Sequence, residues 1–173
     1  MSGLGTLSGL GELAAPATKK DLQDLEDALG VLIPANLRSS LLIHNGNISV
    51  DGYKYLSCPE ILQNWKSMTN LSDQGIFADV EVVYSKHDVF ENIWWHRRWV
   101  PFSADSCGNL LCVDTDPGPQ GCIGQVLHWE TNEGPSTTKF SSFAEWLGQH
   151  RNELLSGKFK IDDDGLIERN RAS

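Results

Sequence analysis

Between Thr18 and Gly30, Leu22, Leu25 and Leu29 recur at helical spacing, while Asp24, Glu26 and Asp27 fall on the other side. This pattern predicts a helix over residues 18–29 with one buried stripe. Thr18 suits its N-cap, Asp21 sits where a capping box needs an acceptor, and Gly30 can close it with positive φ. A second stripe of Leu37, Leu41 and Leu42 follows Pro34, which suits a first helical position, and Asn45-Gly46 is expected to stop it. Short strands over 48–50 and 53–56 flank the turn pair Asp51-Gly52. Ser57-Cys58-Pro59-Glu60 is a start signal, and Ile61, Leu62, Trp65, Met68 and Leu71 give a third apolar face running to about residue 70.

The period then changes. Residues 72–95 hold no clear repeat; 80–84 reads as a strand or an irregular segment, and 91–95 as an aromatic lead into the next strand. Strands are expected over 99–102, 109–114, 125–130 and 137–140, with a rigid loop over 117–121. Within 125–130, Val126, His128 and Glu130 alternate with Leu127 and Trp129. Ser142 and Glu145 form a second capping-box pattern, Phe140 and Trp146 a hydrophobic staple, and Trp146, Leu147, Leu154 and Leu155 a last helical stripe. Residues 159–161 and 166–167 read as a terminal hairpin across 162–165. Helices, a strand meander and a closing helix, without strict alternation, predict an α+β fold with a mostly antiparallel sheet. Residues 1–17, rich in Gly, Ser and Ala, read as a flexible arm, 18–168 as the domain and 169–173 as a tail.

The 173 residues suffice for one domain with its own core. No apolar run is long enough to span a membrane, and the N-terminus lacks the pattern of a secretory signal. With no signal and no C-x-x-C, Cys58, Cys107, Cys112 and Cys122 read as free thiols of a cytoplasmic protein. The net charge of −9 opposes binding to nucleic acid or anionic membranes and favours basic partners.

Catalytic signals are poor. No G-x-S-x-G, phosphate loop, H-E-x-x-H or G-x-G-x-x-G is present, and the five histidines are scattered. Asp114 and Asp116 share a strand face and could hold a cation or move a proton, with His128 as a third member, but loop capping explains the pair more simply. Asp162–Gly165 reads as a turn rather than a calcium loop. His96-Arg97-Arg98, set among Trp94, Trp95 and Trp99, has the composition of a single-strand clamp, but in an acidic chain it reads as arginines paired with acidic neighbours.

In order along the chain stand Glu26, Gly30, Ile33-Pro34, Leu41-Leu42 and Asn45-Gly46. Then follow Trp99-Val100-Pro101-Phe102, Gly108-Asn109, Asp114-x-Asp116-Pro117, Gly121-x2-Gly124-Gln125-Val126 and Ser142-Phe143-x2-Trp146-Leu147. This ordered set resembles the SUKH superfamily, which joins the fungal Smi/Knr cell-wall-synthesis regulators to many bacterial immunity proteins. Ile33 stands where Leu is usual, and Leu37 where an aromatic is common. The resemblance implies a single strongly bent sheet with helices on one side, no enzymatic activity and no cofactor or metal. The glycines 30, 46, 108, 121 and 124 are expected to hold turns or close backbone approaches.

Taken as a nearly bare domain, the chain suggests an immunity protein that neutralises a basic toxin, such as a nuclease, by direct binding. The alternative is a Smi/Knr-type regulatory interaction protein in cell-wall assembly or stress signalling. The contact residues expected on either reading are Asp79, Glu81, Asp88, Asp114, Asp116, Trp129, Glu130 and Glu133.

Overall fold

A computed structural model describes residues 14–81, 88–161 and 167–170. Helix α1 (Lys19–Leu29) starts on Thr18, whose side chain and backbone exchange hydrogen bonds with Asp21, and ends at Gly30 with φ 68°. Its buried face holds Leu22, Leu25 and Leu29, and also Glu26, which the spacing had placed outside. Helix α2 (Ala35–Leu41) takes Pro34 as its N-cap rather than its first residue. It stops at Leu41, short of Asn45-Gly46, and Leu42 lies partly exposed beyond it. The Asn45 amide donates to Ala15 O and its side chain accepts from Cys58 N, so this residue is committed outside the helix.

Strands β1 (Ser49–Val50) and β2 (Tyr53–Tyr55) pair across Asp51 and Gly52, with φ of 53° and 82°. Positive φ at both centres suits the twist of a tight hairpin. Helix α3 (Cys58–Asp73) opens on a Ser57–Glu60 capping box with an early Pro59. It buries Ile61, Trp65, Met68 and Thr69, while Leu71 is exposed, off that stripe.

The meander follows: β3 (Trp99–Asp105), β4 (Leu110–Asp114), β5 (Val126–Glu130) and β6 (Gly134–Thr137). Strand β6 begins three residues before the expected 137–140. Gly134 pairs with Glu130 straight after a short turn, and Phe140 instead lends its carbonyl to Val126 N. Helix α4 (Phe143–Leu155) has the Ser142 hydroxyl accepting from Glu145 N. The Glu145 carboxylate turns to the amide and hydroxyl of Ser141, one residue ahead of the N-cap, so the expected box is only half formed. Strands β7 (Phe159–Ile161) and β8 (Ile167–Arg169) form the last hairpin; the turn at 162–165 lies outside the described residues.

All eight strands join one sheet in the order β6-β5-β4-β3-β2-β1-β8-β7. Every neighbouring pair is antiparallel except β1 and β8, which run parallel through Val50 and Ile167, so the sheet is mixed. The fold is α+β, as expected. A register shift between Pro101 and Ser103 marks a bulge in β3 at Phe102.

Residues paired across strands share a face. Leu110, Cys112, Leu127 and Trp129 therefore point one way, toward Trp95 and, through Trp95, to Thr69 of α3. Tyr55, Ser103, Leu111 and His128 point the other way, and Tyr55 meets Trp146 of α4 edge-on at 5.4 Å. The bulged Phe102 packs on Phe143 and Trp146. Helices α3 and α4 thus lie against opposite faces, which corrects the expectation of helices on one side. Helix α4 buries Phe143 and Trp146, but Leu154 and Leu155 are exposed because its last turns meet the β7–β8 hairpin instead of the core.

At the ends of the described chain, Ala17 is buried and donates to Leu41 O. Arg169 lies in β8, and Asn170 N donates to Lys158 O.

Candidate functional site

Several residues of the ordered motif lock the corners on which the surface is built. Glu26 accepts from Ile33 N at 3.0 Å and from Arg38 Nη1 at 2.6 Å, tying α1 to the turn before α2. This explains why an acid stands on a buried helical face. Asn45 caps the first turn of α3, and Gly46 lets Leu56 and Ser57 pass so closely that any Cβ would clash. Pro34 lies under Gly124. Trp99, Pro101 and Trp146 are buried. Gly108, φ 86°, turns β3 into β4.

The expected contact residues divide. Asp114 is fully buried: its carboxylate accepts from Asp116 N and Gln125 Nε2, each at 3.0 Å, and its backbone bonds to Gly124 and Gln125. Burial pushes its pKa up, while the hydrogen bonds from Asp116 and Gln125 and the neighbouring His96 pull the other way. Its place is that of a loop organiser, not a contact. Trp129 is buried too, with Nε1 donating to Trp94 O at 2.8 Å. The alternating strand pattern identified its face correctly as apolar, but that face is covered by residues 94 and 95, which carried no regular repeat.

Asp116 and Asp88 are exposed and come together. They line one shallow depression with Glu91, Asn92 and Pro117–Pro119. Gly118 and Gly121 make this possible, because Asp88 O and Val89 O lie where their Cβ atoms would be. Gly118 N and Gln120 N donate to Val89 O and Asp88 O. Sequence reasoning missed Glu91; its only signal was a position inside an aromatic segment read as a strand lead-in. A second depression shares Asn92 and is mixed in character, lined by Ser72, Phe77, Val80, Ile93 and Trp94. The exposed Asp79 and Glu81 flank Val80. Glu133 is exposed at the β5–β6 turn, and Glu130 is half-buried on the other sheet face, bonded to His128.

That last bond decides the catalytic candidate. His128 and Asp114 project from opposite faces of the sheet, so the three residues Asp114, Asp116 and His128 do not form one site. His128 instead joins Tyr53 Oη to Nε2 at 2.7 Å and Glu130 to Nδ1 at 2.9 Å. The arrangement suits the tautomer that donates from Nδ1 and accepts from the tyrosine. Burial, then the charges of Asp105 and Glu130, push the Tyr53 hydroxyl up to about 12. Among the described residues no group of three or more His, Cys, Asp or Glu side chains stands together as a metal-ion site. No helix among them is long and apolar enough to cross a membrane. In the basic cluster, Arg97 pairs with Asp73, Arg98 donates to Gly30 O, and His96 lies 3.3 Å from Glu91.

The molecule is a mixed-sheet α+β domain that carries an acidic depression at Asp88, Glu91 and Asp116. The chain belongs to the SMI1/KNR4 family (SUKH-1), whose profile matches residues 16–149. It is similar to a glucan synthesis regulatory protein of Neurospora crassa, 24% identical over 88% of this chain and 36% of that protein. It is likewise similar to the cell wall biosynthesis/cell cycle regulator smi1 of Schizosaccharomyces pombe, 26% identical over 88% of this chain and 34% of that protein. The cell wall assembly regulator SMI1 of Saccharomyces cerevisiae is 21% identical over 88% of this chain and 38% of its own length. The chain thus spans about a third of the length of these relatives.

Proposed function

We propose that this chain is a non-enzymatic protein-binding module of a cell-wall regulatory system, and that its acidic depression at Asp88, Glu91 and Asp116 receives a basic segment of a partner. The observation that carries the reading is the family match over residues 16–149, with relatives named as regulators of glucan synthesis and cell-wall assembly. These names favour regulation over the immunity role set out first. The chain spans only about a third of these relatives, so its length does not favour immunity. The surface chemistry is compatible: an acidic concavity offers steering, and the neighbouring depression adds the aromatic surface of Phe77 and Trp94.

The test is a chimera. This chain replaces the matching part of the fission-yeast regulator, and growth under a cell-wall-perturbing dye is scored. Restored growth that is lost on combining Asp88→Lys, Glu91→Lys and Asp116→Lys supports the reading. A chimera that accumulates to normal levels without restoring growth rejects the regulatory role. Restoration that survives the triple reversal rejects the acidic depression.

A further inference from the structure

The two most exposed large apolar side chains among the described residues are Leu32, 79% exposed, and Ile123, 77% exposed. They are far apart in sequence but belong to one end of the sheet. Leu32 sits in the turn between α1 and α2, and both ends of that turn are fastened beside the loop from β4 to β5. At the first, Arg98 Nη1 donates to Gly30 O at 3.1 Å, while Arg98 O accepts from Thr115 N at 3.0 Å and Thr115 Oγ1 at 2.8 Å. At the second, a Cβ on Gly124 would lie 3.7 Å from Pro34 Cβ. The turn 30–34 therefore runs along the loop 115–124, with Leu32 midway and Ile123 next to the second fastening. The exposed Ala35 and Cys122 adjoin the pair. Single exposed apolar residues are ordinary, whereas neighbouring ones mark contact surfaces.

The same loop carries Asp116 of the acidic depression. Gly124 N donates to Asp114 O at 2.6 Å, which closes the loop on itself. Asp116 stands two residues from this closure and Ile123 one, so their Cα atoms lie within roughly 18 Å, about five residues of extended chain. Gly121, packed on Val89 O, holds the loop against the segment that bears Asp88 and Glu91. Neither Leu32 nor Ile123 lines the depression, so the apolar pair and the acids are two features of one rim. Charge decides what can span both. Asp88, Glu91 and Asp116, in a chain of net charge −9, repel an acidic segment or an anionic lipid surface and attract a basic one. Arg98, bonded to the turn, repels cations from the Leu32 end. A basic segment is thereby oriented, its charges toward the depression and its apolar residue toward Leu32 and Ile123.

We propose that Leu32 and Ile123 form an apolar anchor point contiguous with the acidic depression. The partner is a polypeptide segment with a bulky aliphatic or aromatic side chain within about five residues of two or more Lys or Arg. The inference rests on the reading of the depression as a site for a basic segment and adds the apolar half of the recognition.

The test uses the full chain and two fluorescein-labelled peptides, Leu-Leu-Gly-Ser-Gly-Ser-Lys-Lys-Lys and the same peptide with Ser in place of both leucines. By fluorescence anisotropy at low salt, wild type should bind the leucine peptide about fivefold more tightly than the serine peptide. Leu32→Ser with Ile123→Ser should remove that preference and leave the serine peptide's affinity unchanged. Asp88→Lys, Glu91→Lys and Asp116→Lys together should abolish binding of both. Amide resonances of wild type give a readout that needs no variant: the leucine peptide should shift Leu32 and Ile123 along with Asp88 and Asp116, the serine peptide only the latter two. Equal affinity for the two peptides, or a preference that survives the double replacement, overturns the apolar anchor and leaves the depression standing. Binding of the serine peptide that ignores the triple reversal, or no binding of either peptide, rejects the depression and the inference with it. A wild-type dimer that the double replacement converts to monomer in sedimentation assigns the pair to a second copy of the chain and likewise overturns the proposal.

Discussion

Gly30 and Gly46 take almost the same left-handed backbone, φ 68° and 70°, yet their surroundings differ. A Cβ on Gly30 meets nothing within 4 Å, whereas one on Gly46 would lie 2.4 Å from Ser57 N and 2.5 Å from Leu56 C. Gly30→Ala should therefore cost only the backbone term, about 1 kcal/mol. Gly46→Ala adds a backbone collision and should cost well over ~2 kcal/mol, or prevent folding. Urea titration of the two variants checks the difference, and equal costs would mean the close pass of residues 56 and 57 is wrong. The cysteines offer a second test. Cys107 and Cys122 are exposed, Cys58 and Cys112 buried. Burial, and after it the charge of Asp21, pushes the Cys58 thiol up to about 11; burial and then Asp114 push that of Cys112 up as well. A thiol-specific disulfide reagent should titrate two thiols in the native protein and four in denaturant, without prior reduction. Fewer than four in denaturant would reveal a disulfide.

Helix α4 shows how an element can be read correctly by position and wrongly by face. Its start was legible because Ser142, Phe143 and Trp146 carry capping and burial in one short stretch. Its end was not, because Leu154 and Leu155 keep the spacing of a stripe after the sheet beneath it has run out. The same limit hid the acidic depression: Asp88, Glu91 and Asp116 meet only because Gly118 and Gly121 pack on the backbone of 88 and 89, a contact with no local signature. Central strands, by contrast, announce themselves by continuous apolar runs such as 110–113. Midway along α4, His150 stacks on Trp146 at 4.6 Å and faces Phe159, with Glu153, Arg169 and Asp51 nearby. Burial is the largest influence and lowers its pKa below the ordinary 6.5, against the opposing pull of Glu153. The folded chain thus binds this proton less readily than the unfolded chain. The stability it supports is present above about pH 6.5 and is lost as pH falls from there toward the depressed value. Between pH 7.5 and 5.5 the Tm of wild type should fall more than that of His150→Phe, which keeps the stacked ring. Parallel declines would remove His150 as the cause.

At the scale of the whole molecule, the sheet is held unevenly. Strands β3 to β5 lie between covered faces with full ladders, whereas β7 and β8 are joined to the rest through Val50 and Ile167, the bond from Asp51 N to Ile167 O, the contact of Phe159 with His150, an exposed ion pair of Arg169 with Asp51 and a half-buried one with Glu153. Exposed ion pairs add little. Amides of residues 159–161 and 167–169 should exchange with deuterium together, and orders of magnitude before those of Cys112 and Val113. Uniform exchange across the sheet would contradict this division. The parallel seam also sets a timetable for synthesis. On the ribosome the chain emerges from its N-terminus, so β2, β3, β4 and β5 acquire each neighbour soon after they appear. Strand β1 gains its second neighbour only when Ile167 clears the exit tunnel. Until then Val50 and Asp51 stand on an open sheet edge that the finished fold covers, exposed to a chaperone only in that interval.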